Sequence, residues 1–139
     1  MNLVDLNEEP SGLQNHLGYR LTAFERDFCA LIMPITPQIM NRNGIPHGGA
    51  LSTLLDTAMG FAGCYVGPNE QPHRAMTLNL SVNFMAQATG TTLHATGRRV
   101  GGGRKTYFAE SSITDDTGTL IATATGVFKY AWTNPQAAG

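Results

Sequence analysis

Asn41-Arg42-Asn43-Gly44-Ile45-Pro46-His47-Gly48-Gly49-Ala50 runs directly into Leu51-Ser52-Thr53-Leu54-Leu55-Asp56-Thr57-Ala58-Met59-Gly60. Asn, Gly and Pro crowd the first half, which reads as a turn-rich loop. In the second half, Leu51, Leu54, Leu55, Ala58 and Met59, followed by Ala62 and Tyr65, recur at three- and four-residue steps. That spacing predicts a helix from about 47 to 66 with a broad apolar face, stopped by Gly67-Pro68-Asn69. Ser52, Asp56, Gly60 and Gly63 form a second stripe on which another backbone could come close.

The flanks read mostly as strands. Residues 11–18 suit a short helix between Ser11 as N-cap and Gly18 as stop. Tyr19 to Met33 roughly alternates through Leu21, Ala23, Phe28, Ala30 and Ile32, which predicts one strand with an irregularity near Arg26-Asp27. Beyond the helix, four strands are expected. The first, about 74–86, should bury the face carrying Met76, Leu78, Leu80, Val82 and Phe84; the second covers about 91–100. Gly101-Gly102-Gly103 then turns the chain. The third, about 105–114, alternates Tyr107, Ala109, Ser111 and Ile113, and Asp115-Asp116-Thr117-Gly118 makes a hairpin loop into the last, 119–132. Such a sheet needs one hydrophobic cover, and the long helix is the candidate. The fold class is therefore α+β, an antiparallel sheet wrapped about one helix. The expected division is an extension at 1–18, a domain at 19–133 and a flexible tail at 134–139.

With 139 residues, 42% hydrophobic and 14% charged, the chain has room for one domain and a real core. Its net charge of −1 gives no basic surface for nucleic acid or an anionic membrane. No signal peptide or membrane-spanning stretch is legible, so a cytoplasmic protein is expected. Cys29 and Cys64 read as free thiols, and the four histidines lack ligand spacing, so neither metal nor cofactor is expected.

Two features of the opening stretch carry chemistry. The N–H groups of Gly48 and Gly49 lie in the first turn of the helix, where they have no intrahelical acceptor and could meet an oxyanion; a plain tight turn is the alternative. Asp56 is a carboxylate in an apolar helix, either functional or simply solvent-facing. Asp56 follows Gly48 by eight residues, roughly 12 Å along a helix axis. One N–H and one carboxylate so placed cannot meet at the same carbonyl. If both act on one substrate, they come from two copies of the helix across a two-fold axis.

The pattern Asn-x-x-Gly-x-x-His-Gly-Gly, followed by Leu-x-Asp-Thr-Ala, resembles the hotdog-fold acyl-CoA thioesterases, and most of all the phenylacetate-degradation and 4-hydroxybenzoyl-CoA branch. The likeness is strongest over residues 38–60. It implies a hotdog fold, hydrolysis of an acyl-CoA to free acid and CoA, and a homodimer that often pairs into a homotetramer. Residue by residue, it implies Asp56 as general base or nucleophile and Gly48 as the donor to the thioester carbonyl. It implies Asn41 and Thr77 as the groups that place the carbonyl or the water, Thr77 standing where relatives carry Ser. His47 would orient the loop, with a direct catalytic part as the alternative. Gly49, Arg98, Arg99, Gly103, Arg104 and Lys105 would face the nucleotide end of CoA, against the alternative of a solvated turn. Rival readings are a non-catalytic acyl-CoA-binding domain and a hotdog enoyl-CoA hydratase or dehydratase.

Overall fold

The computed structural model describes residues 2–131. The expected tail at 134–139 and Trp132, the expected end of the last strand, lie outside the described residues. The elements in chain order are α1 (Gly12–Leu17), β1 (Arg20–Glu25), β2 (Phe28–Pro34), a 3-10 turn (Pro37–Ile39), α2 (Gly48–Ala62), β3 (Ala75–Phe84), β4 (Thr92–Gly102), β5 (Thr106–Asp115) and β6 (Leu120–Tyr130). The six strands form one sheet in the order β1-β2-β4-β5-β6-β3, with every neighbouring pair antiparallel. The architecture is the α+β arrangement expected, one long helix laid on one antiparallel sheet.

The short helix α1 forms as its caps predict. The Ser11 side chain accepts from the Gln14 N–H, and Gly18 closes it in the left-handed region at φ 85°. The expected single strand over 19–33 is instead a hairpin. Glu25 pairs with Phe28 across the two-residue turn Arg26-Asp27, where Asp27 takes φ 61°. Aspartate tolerates that conformation. The turn resets the alternation, so Cys29, Leu31 and Met33 point into the core in place of Phe28, Ala30 and Ile32.

Helix α2 ends sooner than expected, at Gly63 and not at Gly67-Pro68-Asn69. Two tyrosines hold its last turn. The Tyr107 hydroxyl lies 3.0 Å from the Met59 carbonyl and 2.9 Å from that of Gly60, and the Tyr130 hydroxyl donates to the Gly63 carbonyl at 2.7 Å. These are carbonyls a helix end leaves without intrahelical partners. Leu51, Leu54, Leu55, Ala58, Met59 and Ala62 are buried as the periodicity predicts; Tyr65 lies beyond the helix and packs edge-on to Phe24.

The close approach of backbones happens elsewhere than on the helix stripe. An added Cβ on Gly97 of β4 would overlap the Ala58 carbonyl, so that glycine lets the sheet touch the helix backbone. Gly63 and Gly60 instead face the rings of Tyr107 and Phe128. The helix is thus seated on a floor of small residues, Ala95, Gly97, Ala109, Ala122 and Ala124, with Tyr107 and Phe128 stacked at one end, ring centroids 5.1 Å apart.

Strand β3 departs most from expectation. It pairs with β6 and not with β4, which leaves it at the sheet edge. Its predicted buried face is largely open: Met76, Leu78 and Phe84 are exposed, and only Leu80 and Val82 are partly covered. Strand β4 runs on through Gly101 and Gly102, with a bulge between Arg99 and Gly101, so the turn falls at residues 103–105. Strand β5 buries Tyr107, Ala109, Ser111 and Ile113 as predicted, and Asp115 to Gly118 turn the chain into β6.

Candidate active site

The loop before α2 is built by Asn41. Its side-chain oxygen accepts from the N–H groups of Asn43 (2.8 Å) and Ile45 (3.3 Å), while its own N–H donates to the Ile45 carbonyl at 2.8 Å. This folds the Asn-x-x-Gly segment back on itself, with Gly44 at φ 75°. Asn41 therefore shapes the loop that delivers the helix start, and its amide N–H₂ stays without an acceptor among the described residues.

His47 is the N-cap of α2: its Nδ1 accepts the Gly49 N–H at 2.7 Å. That bond fixes the His47 ring against the start of the helix. It also takes Gly49 out of the set of free donors, since the Gly49 N–H is already engaged. The Gly48 N–H, by contrast, has no acceptor among the described residues. Gly48 lines a cleft with Asn41, Ile45, Pro46, Leu51, Phe84 and the segment 85–88, where the Phe84 ring lies against it. An unpaired N–H at a helix start beside an apolar cleft suits a carbonyl oxygen that gains negative charge.

Asp56 lies in a second cleft, with Thr57, Gly60, Phe61, Pro72, His73, Arg74, Thr77 and Phe128. Its Oδ1 accepts the Thr77 hydroxyl at 2.7 Å. Partial burial pushes its pKa above the usual aspartate value, against the opposing pull of the Thr77 bond. Such a carboxylate is held in one orientation and is more basic than one in water, which suits a general base. Strand β3 supplies Thr77 because the bulge between Thr77 and Asn79 turns Thr77 toward the helix, on the same side as Leu80 and Val82.

The structure pairs Asp56 with Thr77, and Asn41 with Gly48, and keeps the two pairs apart in separate clefts. The sequence spacing anticipates that separation. The basic turn does not form one cluster. Strand alternation sends Arg98 to the outer face, over the Phe28 ring at 4.6 Å to its centroid. Arg99, Gly103 and Arg104 line a third cleft with Arg26, Gly63, His73 and Tyr130, and Lys105 is exposed in the turn. The Arg99 Nε is buried with no acceptor among the described residues. Glu8, His73, Arg74 and Arg26 were not legible as site residues: only tertiary packing carries them to the clefts, from a segment, a pre-strand loop and a hairpin turn without a motif.

Comparison with known proteins adds a decisive match. The model of the family described as "Thioesterase superfamily" matches residues 43–122, the stretch from the loop through α2 and into β6. The chain belongs to the thioesterase superfamily. It is 34% identical over 89 residues to a protein of Pseudomonas aeruginosa named "Putative esterase PA0474". That match covers 63% of this chain and 64% of the relative, so it spans under two thirds of the relative's length. The PaaI protein from the phenylacetic acid degradation operon of E. coli shares the fold, with TM-score 0.77 and 24% identity over 88% of this chain and 86% of that one. BH2602 of Bacillus halodurans, solved with CoA, superposes with TM-score 0.76 and 26% identity over 90% of this chain and 82% of that one. The hotdog fold of this superfamily member is therefore the one the opening motif implies. Among its described residues, no helix is long and apolar enough to cross a membrane.

Proposed function

We propose that this superfamily member hydrolyses acyl-CoA thioesters to the free acid and CoA. The observation that carries the reading is the half-buried Asp56 carboxylate, fixed by the Thr77 hydroxyl at 2.7 Å, in a chain whose Gly48, its N–H unpaired among the described residues, lines a different cleft. Each site is then completed across a two-fold axis. Gly48 of the partner subunit donates to the thioester oxygen while Asp56 faces the carbonyl carbon.

As general base, Asp56 takes a proton from water as the water oxygen bonds to the carbonyl carbon. The oxygen of the tetrahedral intermediate is held by the Gly48 N–H and the positive end of the helix dipole. Collapse breaks the C–S bond, and the proton passes from Asp56 to the departing CoA thiolate. As nucleophile, the same carboxylate would attack the carbon and break the C–S bond, expelling CoA as the thiolate; water would then open the mixed anhydride to the free acid and the regenerated Asp56, its spare proton passing to the thiolate. Thr77 holds the carboxylate in either route, and Asn41 keeps the donor loop in place. Arg99 and Arg104, with Gly103 at the turn, are the groups suited to the nucleotide phosphates; Arg98 faces away from them.

The test is turnover of a panel of acyl-CoAs followed by thiol release. Asp56→Asn, which keeps a partner for the Thr77 hydroxyl, is expected to lower kcat by about 100-fold or more, the range for loss of a positioned base, with the fold retained by circular dichroism. Binding of acyl-CoA without thiol release by the native protein would favour a non-catalytic binding domain instead. Near-native turnover by Asp56→Asn would remove Asp56 from the mechanism.

A further inference from the structure

Residues 3–10 cross the surface beside the Asp56 cleft as a strap. The strap is tied at three points. The Val4 N–H donates to the Leu21 carbonyl at 3.0 Å, the Gln71 side-chain amide donates to the Asn7 carbonyl at 3.0 Å, and the Arg74 guanidinium meets the Glu8 carboxylate at 3.0 Å. Val4 and Leu6 are partly buried against the core, and Asn7 takes a left-handed φ of 54° where the strap bends. The Glu8 side chain is only 17% exposed, although it carries a charge and belongs to a segment outside the sheet.

Two side chains tie the strap to the candidate chemistry. Glu8 and Arg74 line the Asp56 cleft as well as the cleft beneath the strap. Phe61 stands in the wall of both, five residues beyond Asp56 on α2. Glu8, Phe61 and Arg74 are the residues common to both clefts, so displacing the strap takes Glu8 out of the boundary and leaves Phe61 and Arg74 between the two spaces. Nothing in the hydrolysis itself requires this segment.

We propose that the strap is a wall of the Asp56 site and that the Glu8–Arg74 pair is its latch, so that these two residues set how bulky an acyl group the site accepts. The inference rests on the reading of the protein as an acyl-CoA thioesterase. With the latch closed, the acyl group is confined between Phe61, Gly60 and Phe128. With the latch open, it extends past Phe61 into the cleft under Val4 and Leu6. Acyl-CoAs with long or branched acyl groups gain from opening; acetyl-CoA does not.

The experiment measures binding and turnover separately. Binding of non-hydrolysable acyl-CoA thioethers, from acetyl to a long-chain acyl group, is followed by calorimetry for the native protein, Glu8→Gln, Arg74→Met and the double variant Glu8→Arg/Arg74→Glu. Hydrogen exchange at residues 3–10 is followed in parallel. Each single variant is expected to shift the ratio of long-chain to acetyl affinity upward by about fivefold, the scale set by one partly exposed ion pair, and to speed exchange in the strap. The charge-reversed double variant is expected to return both toward native values, which a merely structural loss would not do. A ratio unchanged in both single variants, or one left unrestored by the double reversal, overturns the latch. Binding that tracks the latch without thiol release by the native protein would overturn the thioesterase reading and leave the wall standing. Failure to bind any thioether overturns both.

Discussion

Replacing Gly48 by proline removes the one N–H that the account requires and puts a ring carbon in its place. Position 48 is the first residue of α2, where a helix tolerates proline because that N–H has no intrahelical acceptor. The preceding His47 already has φ −67° and ψ 137°, the extended conformation that a following proline demands. No hydrogen bond among the described residues is lost, since the Gly48 N–H makes none. The steric cost is also small. A Cβ at position 48 would stand 3.2 Å from the tip of the Phe84 ring, and Phe84 is exposed enough to turn aside. Stability is therefore expected to change by no more than about 1 kcal/mol, within about 4 °C in Tm. The loss of an oxyanion donor, by contrast, is expected to lower kcat by about 100- to 1,000-fold. Gly48→Ala is the control, because it adds the same Cβ and keeps the N–H. The assay is thiol release from acyl-CoA, with Tm recorded for each variant. If Gly48→Pro stays folded and its kcat falls within threefold of that of Gly48→Ala, the donor assignment is refuted.

Further outcomes follow from the same geometry. Because burial raises the Asp56 pKa, kcat/KM is expected to fall on acidification through a value above 3.8, and Thr77→Val, which removes the bond holding that pKa down, should move this limb to higher pH. The same shift bears on stability. The contribution of Asp56 is fully present below its unfolded value and is lost as pH rises through the folded one, so Asp56→Asn should raise Tm at pH 7 and lose that advantage near pH 3. Gly97→Ala places a Cβ against the Ala58 carbonyl and is expected to cost about 1–3 kcal/mol or more in denaturant unfolding, with the loss of site geometry appearing as reduced kcat.

What the sequence disclosed, and what it hid, follows from the range of the forces involved. Helix α2, its N-cap and the loop before it are local: Asn41, Gly44, His47 and Gly48 lie within eight residues, and the side chains of Asn41 and His47 bond only as far as Asn43, Ile45 and Gly49. The separation of Gly48 from Asp56 followed from helix rise alone. The hairpin at Arg26-Asp27 was hidden because its turn uses an aspartate in the left-handed region where a glycine would have announced it. The exposure of β3 was hidden because alternation shows that a strand has an apolar face and not whether anything covers it. Its place at the sheet edge is a property of the whole topology. The split of Arg98 from Arg99 was available from the two-residue period of a strand, since both residues fall in the stretch 91–100 already read as one.

The central claim is that each site is assembled from Asp56 of one chain and Gly48 of another, and subunit complementation tests it directly. Asp56→Asn and Gly48→Pro chains are each expected to be nearly inactive alone. In a randomly assorted mixture, half of the dimers carry one of each chain, and each such dimer has one intact site of two, so the mixture should recover about a quarter of native turnover. A mixture no more active than its parents, with mixed dimers demonstrated by mass spectrometry, would contradict the account.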